Sequence, residues 1–173
     1  MPPTFYSDHL SSDGISQTTV DVQKRISAGV GGGRIRYKRA SWSGVDTANA
    51  DVIRIAQFLS GDRILELYVD VTAGGSGCTG SVGLHESGVL HTGAVLDDNL
   101  FESAADWSSA VARTDVFQGA ALTGIDRGKR LYELLGQTVD PVESWDLTVT
   151  TPAGTSTTTT FSGVVEVYFI SGP

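Results

Sequence analysis

The side chains with metal-binding chemistry lie close together in one part of the sequence. His85 and His91 are six residues apart, with Glu86, Asp97 and Asp98 nearby in the chain. Imidazole and carboxylate groups bind transition metals, and this spacing would let both imidazoles meet across a turn between two strands. It fits equally two exposed polar residues of a hairpin. That second interpretation is favoured, so we expect no metal site.

A calcium loop and a nucleophilic thiol are two further candidates. The run Asp97, Asp98 and Asn99 resembles the start of a calcium loop, yet the sixth position is not Gly and the twelfth is not Glu. Asp98 is better explained as the N-cap of a helix. Cys78 lies in a Gly-rich loop without a basic neighbour in sequence. Such a neighbour is what activates a thiol, so we predict an unreactive side chain.

Motifs for nucleotide, acyl-transfer or zinc chemistry are missing from the sequence. It contains no GxSxG, GxxxxGK[ST] or HExxH pattern and one cysteine. Residues 31–33 and 74–77 resemble phosphate-binding loops in glycine content alone, because neither segment follows a strand and opens a helix. We therefore predict a protein that is not an enzyme and binds no cofactor.

The composition is typical of an all-β chain made in a reducing compartment. Of 173 residues, 18 % are charged and 21 are glycine, and one cysteine cannot form an intrachain disulfide. No apolar run approaches the roughly 18 residues of a membrane span. The N-terminus lacks the basic start and apolar core of a signal peptide. We expect synthesis in the cytoplasm and no membrane partner.

Charge is distributed unevenly along the chain. Residues 1–40 contain six basic and three acidic side chains, a balance of +3, whereas residues 41–173 contain six basic and seventeen acidic ones, a balance of −11. The acidic body argues against nucleic acid as a partner. The asymmetry favours head-to-tail docking of like molecules or docking onto an acidic protein. Solubility alone would also explain it.

Alternating polarity predicts the central strands. In residues 63–71, Leu65, Leu67 and Val69 fall on one face, and a second alternating run precedes the turn at residues 60–62. The two runs could form a hairpin, with Gly61 at positive φ. Alternatively, they could belong to opposite sheets, with the turn as the corner.

A basic strand is predicted before these two runs. Arg34, Arg36 and Lys38 alternate with Ile35 and Tyr37, so one face would be basic and the other apolar. This pattern is typical of a half-exposed strand at a sheet edge. We predict that the three basic residues bind a partner protein.

The remaining pattern predicts further strands in residues 79–87, 144–151 and 163–170. A helix is predicted in residues 100–113, because Leu100, Ala104, Trp107 and Val111 recur at helical spacing.

The predicted organisation is an extended N-terminal arm, residues 1–33, followed by one domain, residues 34–173. The arm would contain at most one short strand, at residues 17–22. The domain would be a β-sandwich or jelly roll of about seven or eight strands with one short helix. Trp107 and Trp145 are predicted to be buried. Exposure of Trp42 would favour a carbohydrate site.

Five segments share the layout of a known class of proteins. They are ANADVIRIAQFLSGDRILELYVDV (48–71), SVGLHESG (81–88), DDNLFESAADWSSAVAR (97–113), KRLYELLG (129–136) and WDLTVTTPAGTSTTTTFSGVVEVYF (145–169). Their order resembles small structural proteins of tailed-bacteriophage virions, often capsid decoration (cement) proteins with a jelly-roll or related fold. Residues 1–47 lie outside the resemblance.

The resemblance implies a non-enzymatic protein on the capsid surface, made in the host cytoplasm. Its expected partner is the major capsid protein or another virion protein. A homo-oligomer is also expected, with a trimer as one option. No catalytic residues carry over. The alternative interpretation is a carbohydrate- or receptor-binding β-sandwich module.

Overall fold

The structure is a two-sheet β-sandwich, which confirms the predicted fold class. The computed structural model describes residues 4–6, 35–46, 52–88, 93–117, 122–151 and 160–172. These ranges contain nine strands and one short helix. The elements are β1 (Thr4–Tyr6), β2 (Ile35–Asp46), β3 (Val52–Leu59), β4 (Arg63–Val71), β5 (Thr79–Glu86), β6 (Val95–Asp106), β7 (Val111–Asp115), α1 (Leu131–Leu134), β8 (Ser144–Thr150) and β9 (Thr160–Ile170).

The strand order is that of a jelly roll. One sheet has the order β1-β3-β8-β5-β6 and the other the order β2-β9-β4-β7. All pairs are antiparallel except β1 with β3. Among the described strands, the connection from β5 to β6 is the only one between consecutive strands that stays within a sheet. From β2 onwards, this gives the two four-stranded sheets of a jelly roll.

The turn at residues 60–62 is a corner between the sheets, because β3 and β4 lie in different sheets. The Asp62 carboxylate closes the corner by accepting the backbone N–H of Leu59 at 3.0 Å. Gly61 does not have a positive φ, so that prediction is wrong. A Cβ at Gly61 would instead lie 2.8 Å from Oδ2 of Asp140. A larger residue at this position would therefore require the Asp140 carboxylate to shift.

The core lies between the inner faces of the two sheets. On β9, Val165, Val167 and Phe169 are buried, while the intervening residues are half-buried on the outer face. Phe169 packs edge-on against Phe58 of the opposite sheet, with ring centroids 5.0 Å apart. Trp107 and Trp145 are buried, as predicted, and so is Trp42.

The predicted helix in residues 100–113 is wrong. These residues form β6 and β7. The pairing of β5 with β6 shifts register at three places, and Ala104 has a φ of 49°. Each bulge adds a residue and breaks the period of two. The bulges of β6 and its connection to β7 leave Leu100, Ala104, Trp107 and Val111 at spacings of four, three and four residues. These spacings resemble those of a helix.

The helix that the structure does contain, α1, lies against the corner. The backbone N–H of Leu131 donates to the carbonyl of Asp62 at 2.9 Å, and that of Tyr132 donates to the carbonyl of Ser60 at 3.1 Å. Among the described residues, no helix is long and apolar enough to cross a membrane.

The strand predicted at residues 17–22 lies outside the described residues. In the N-terminal segment, the structure describes β1, which pairs in parallel with Val52, Ile53 and Arg54 of β3.

Candidate interaction surfaces

Strand β2 is an edge strand, as its charges predicted, but its basic residues do not all face solvent. It pairs with β9 on one side, and no described strand pairs with its other side. Arg36 and Lys38 share a face with Ala40 and Trp42, which are buried. Ala40 and Trp42 therefore point inward, whereas Arg36, near the start of the strand, is half-buried and keeps part of its side chain exposed. Arg34 lies outside the described residues.

Lys38 is the clearest departure from the predicted basic face. Its Nζ donates to the backbone carbonyl of Gln57 in the opposite sheet. The same nitrogen lies 4.3 Å from the ring centroid of Phe58 and 5.2 Å from that of Phe169. Burial lowers the pKa of Lys38 to about 8. The prediction that Lys38 lies on an exposed face is therefore wrong.

Three tyrosines form a row across the outer face of the second sheet, on β2, β9 and β4. The Tyr168 ring lies between the other two, with its centroid 5.0 Å from that of Tyr37 and 6.4 Å from that of Tyr68. The guanidinium of Arg113 stacks on Tyr68, 3.5 Å from the ring centroid. We call Tyr37, Tyr68 and Tyr168 the tyrosine row. No pattern in the sequence predicted this row, in which Tyr37 and Tyr168 are directly paired in the sheet.

Glu166 is held at the centre of this outer face. It accepts a hydrogen bond from Nε of Arg113 at 2.8 Å and another from the Tyr37 hydroxyl at 3.0 Å. Nε of Arg39 lies 3.7 Å away. The hydrogen bond from Arg113 is the main cause of a lowered pKa at Glu166. A shallow cavity of about 70 Å³ lies beside the carboxylate, so charged side chains and the Tyr68 ring line one accessible place.

Strand β6 forms the far edge of the other sheet and is acidic. It contains Asp97, Asp98, Glu102 and Asp106, and no basic residue occurs between positions 95 and 112. We call these four carboxylates the acidic edge. None of them forms an ion pair with a basic residue in the described ranges. Within the described ranges, the acidic edge is therefore a local concentration of negative charge without a basic partner.

A buried ion pair anchors the start of the connection from β5 to β6. Nη1 of Arg54 lies 2.5 Å from Oδ2 of Asp146, and the two side chains are 5 % and 1 % exposed. Arg54 also donates to the carbonyls of Glu86 and Gly93 at 3.0 and 3.3 Å. The Asp146 carboxylate accepts the backbone N–H of Gly88 at 3.1 Å. This network fixes both ends of the connection.

His85 is buried beside this network. The expectation that it is an exposed polar residue of a hairpin is therefore wrong. Nδ1 of His85 lies 2.8 Å from Oγ1 of Thr148, which itself donates to the carbonyl of Gly83 at 3.3 Å. The ring therefore donates to Thr148 through Nδ1. Burial, followed by nearby Arg54, lowers the pKa of His85 to about 4.

The other candidate metal and thiol groups are not brought together. His91 lies outside the described residues. Within those residues, no three His, Cys, Asp or Glu side chains are placed to hold a metal ion. Cys78 is fully buried, and burial raises its pKa, which is the opposite of what a reactive thiol requires.

Two solved structures resemble this fold along most of the chain. A chain of "Cyanophage Pam1 capsid asymmetric unit" matches with a TM-score of 0.50 and 15 % identity, over 90 % of this chain and 99 % of that chain. A chain of "Capsid of Ralstonia phage GP4" matches with a TM-score of 0.48 and 14 % identity, over 99 % of each chain. No family model and no curated protein matches the sequence. At 15 % identity, the first likeness shows a shared fold.

Proposed function

We propose that this chain is a non-enzymatic structural protein of a tailed-bacteriophage virion, namely a capsid decoration (cement) protein. The observation that supports this is the jelly roll it shares with a chain of the Cyanophage Pam1 capsid structure. The alignment covers 90 % of this chain and 99 % of the Pam1 chain, so the two chains are similar in length. The proposed location is the capsid surface, after synthesis in the host cytoplasm.

The proposed partner is the major capsid protein or another virion protein, with neither nucleic acid nor membrane involved. Self-association is part of the proposal, with a trimer as one option. We also propose that residues 1–33 form an extended arm and residues 34–173 the sandwich. Within the arm, β1 pairs with β3 of its own chain, so the proposed contact with a neighbouring molecule falls on the rest of the arm. Adding a strand to an open sheet edge would fasten such an arm through main-chain hydrogen bonds.

Arg34 and Arg36 are the proposed partner-binding residues from the basic segment. Arg36 forms no ion pair with an acidic residue in the described part of the chain, so its charge is available to an acidic surface. Lys38, the third residue predicted for this role, is already engaged inside the sandwich. We therefore do not assign it to the partner surface.

The test is to add purified protein to phage particles that lack it and to measure bound copies per particle. We expect saturable binding that high salt weakens without abolishing. Arg34→Glu with Arg36→Glu should lower occupancy at low salt. Arg63→Glu with Lys129→Glu makes the same change in net charge elsewhere and should bind like wild type. Failure of the wild-type protein to bind particles would refute the proposal.

A carbohydrate- or receptor-binding module is the second candidate function, and the tyrosine row is the observation that favours it. One member of the row, Tyr68, lines a shallow cavity together with the hydrogen-bonding side chains of Asp70 and Glu166. Trp42, the aromatic residue first considered for this role, is buried. Binding of soluble glycans to the wild type that Tyr68→Ala removes would favour this candidate.

A further inference from the structure

We propose that copies of this chain associate head to tail, with the acidic edge of one copy against strand β2 of the next. This contact would be the interface for the self-association that is part of the proposed function, and the inference rests on that function. It requires no contact with a capsid, so it is tested on the purified protein alone.

The two charged strands lie on opposite sides of the sandwich. In the first sheet, β6 is the last strand on the side away from β3. In the second sheet, β2 is the outermost strand, and it lies over β3. One molecule therefore presents a basic strand on one side and the acidic edge on the other. When two copies lie side by side in the same orientation, the basic strand of one faces the acidic edge of the other.

Within the part of the chain that the structure describes, the charges on both sides form few ion pairs. Three members of the acidic edge, Asp97, Glu102 and Asp106, accept hydrogen bonds from backbone N–H groups one or two residues further along the chain. On β2, Arg36 forms no ion pair with a described acidic residue. The half-exposed Arg39 lies 3.7 Å from Glu166, which Arg113 holds more closely at 2.8 Å. Complementary charges are thus available for an intermolecular contact.

Symmetric contacts between like edges are disfavoured. Pairing β2 with β2 would bring Arg36 and Arg39 near their own copies, and like charges across paired strands are destabilising. Pairing β6 with β6 would bring four carboxylates near four others. The three register shifts of β6 also make it a poor template for regular strand addition. The contact is therefore heterologous and mediated by side chains, and it forms a ring if the rotation closes.

Charge reversal on each side provides the test, measured by sedimentation velocity and native mass spectrometry. One variant is Asp98→Lys with Glu102→Lys, and the other is Arg36→Glu with Arg39→Glu. Each should weaken self-association at low salt by at least about tenfold, since several exposed pairs are lost together. The matched control is Glu66→Lys with Asp70→Lys, two exposed acidic residues with the same spacing on β4. It should associate like wild type.

Mixing the two variants gives the decisive result. The acidic-edge variant keeps a basic β2 but has no net charge left on its acidic edge, whereas the β2 variant has two acidic sides. The basic β2 of the first can therefore dock only onto the intact acidic edge of the second. An equimolar mixture should form a complex with one copy of each variant, which neither variant forms alone, and assembly should stop there. A wild type that stays monomeric at low salt would overturn the proposal, as would variants that assemble unchanged. If a reversal lowers the melting temperature, Asp98→Asn with Glu102→Gln replaces it and should still weaken association and reduce its salt dependence.

Discussion

The wild-type protein should become more stable as the pH rises from neutral to alkaline, and the variant Lys38→Met should lack this gain. The Lys38 ammonium lies near the rings of Phe58 and Phe169, and burial lowers its pKa from 10.5 to about 8. Between these two pKa values, the unfolded chain binds more protons than the folded chain. The free energy of unfolding therefore rises with pH across this window, and the stabilisation is lost as pH falls through 8.

The two pKa values set the size of the effect. At 1.36 kcal/mol per pH unit, a shift from 10.5 to about 8 corresponds to about 3 kcal/mol in total. From about pH 7 to about pH 9.5, roughly 2 kcal/mol of this should be regained, because the folded lysine becomes neutral while the unfolded one stays mostly charged. Lys38 is only half-buried, so solvent screening makes this an upper value.

The assay is urea unfolding followed by tryptophan fluorescence, since Trp42, Trp107 and Trp145 are all buried. Wild type should gain stability relative to Lys38→Met as the pH is raised. Lys129→Met is the control, because the Lys129 side chain is 47 % exposed, and it should follow wild type. If wild type and Lys38→Met gain the same free energy over this pH range, the ammonium is not desolvated and the reasoning fails.

Two further predictions concern the buried polar network. The folded pKa of His85 is about 4, below its ordinary 6.5, so the unfolded chain binds more protons in between. Acidification from about pH 7 to about pH 5 should therefore cost about 2 kcal/mol in wild type. His85→Gln should lack this loss in urea titrations, and equal slopes would contradict the assignment. Asp146→Ala should cost about 3–5 kcal/mol by leaving Arg54 buried without its partner, whereas Arg54→Met with Asp146→Leu should cost much less. Equal losses in the two variants would count against the ion pair.

Regular alternation made part of the fold predictable. Strands β4, β8 and β9 each have a buried face that follows a period of two in the sequence, and the structure contains all three. The sequence also placed a turn at residues 60–62. It could not distinguish a hairpin from a corner, because that depends on which sheet each strand joins, and the sheet partners are distant in sequence.

Local pattern failed where tertiary contacts override it. The bulges of β6 turned a strand into an apparent helix. Lys38 was assigned to solvent by its charge, although Ala40 and Trp42 on the same face were a signal that this face points inward. The tyrosine row needed the register between β2 and β9, which joins residues more than a hundred positions apart. The sequence shows the four carboxylates of the acidic edge, but it does not show that β6 lies at the end of its sheet.

The position of β9 between β2 and β4 has a consequence for folding during synthesis. The hydrogen bond from Tyr37 to Glu166 joins residues 129 positions apart, and both neighbours of β9 precede it in the chain. The ribosome must therefore release residues 160–170 before this sheet can form. Until then, the apolar faces of β2 and β4 lack their shared partner, and such exposed strands are prone to aggregate. Because most strand pairings join residues that are distant in sequence, the sandwich should form slowly and in one late step. A chaperone would therefore matter most while the chain is still being synthesised.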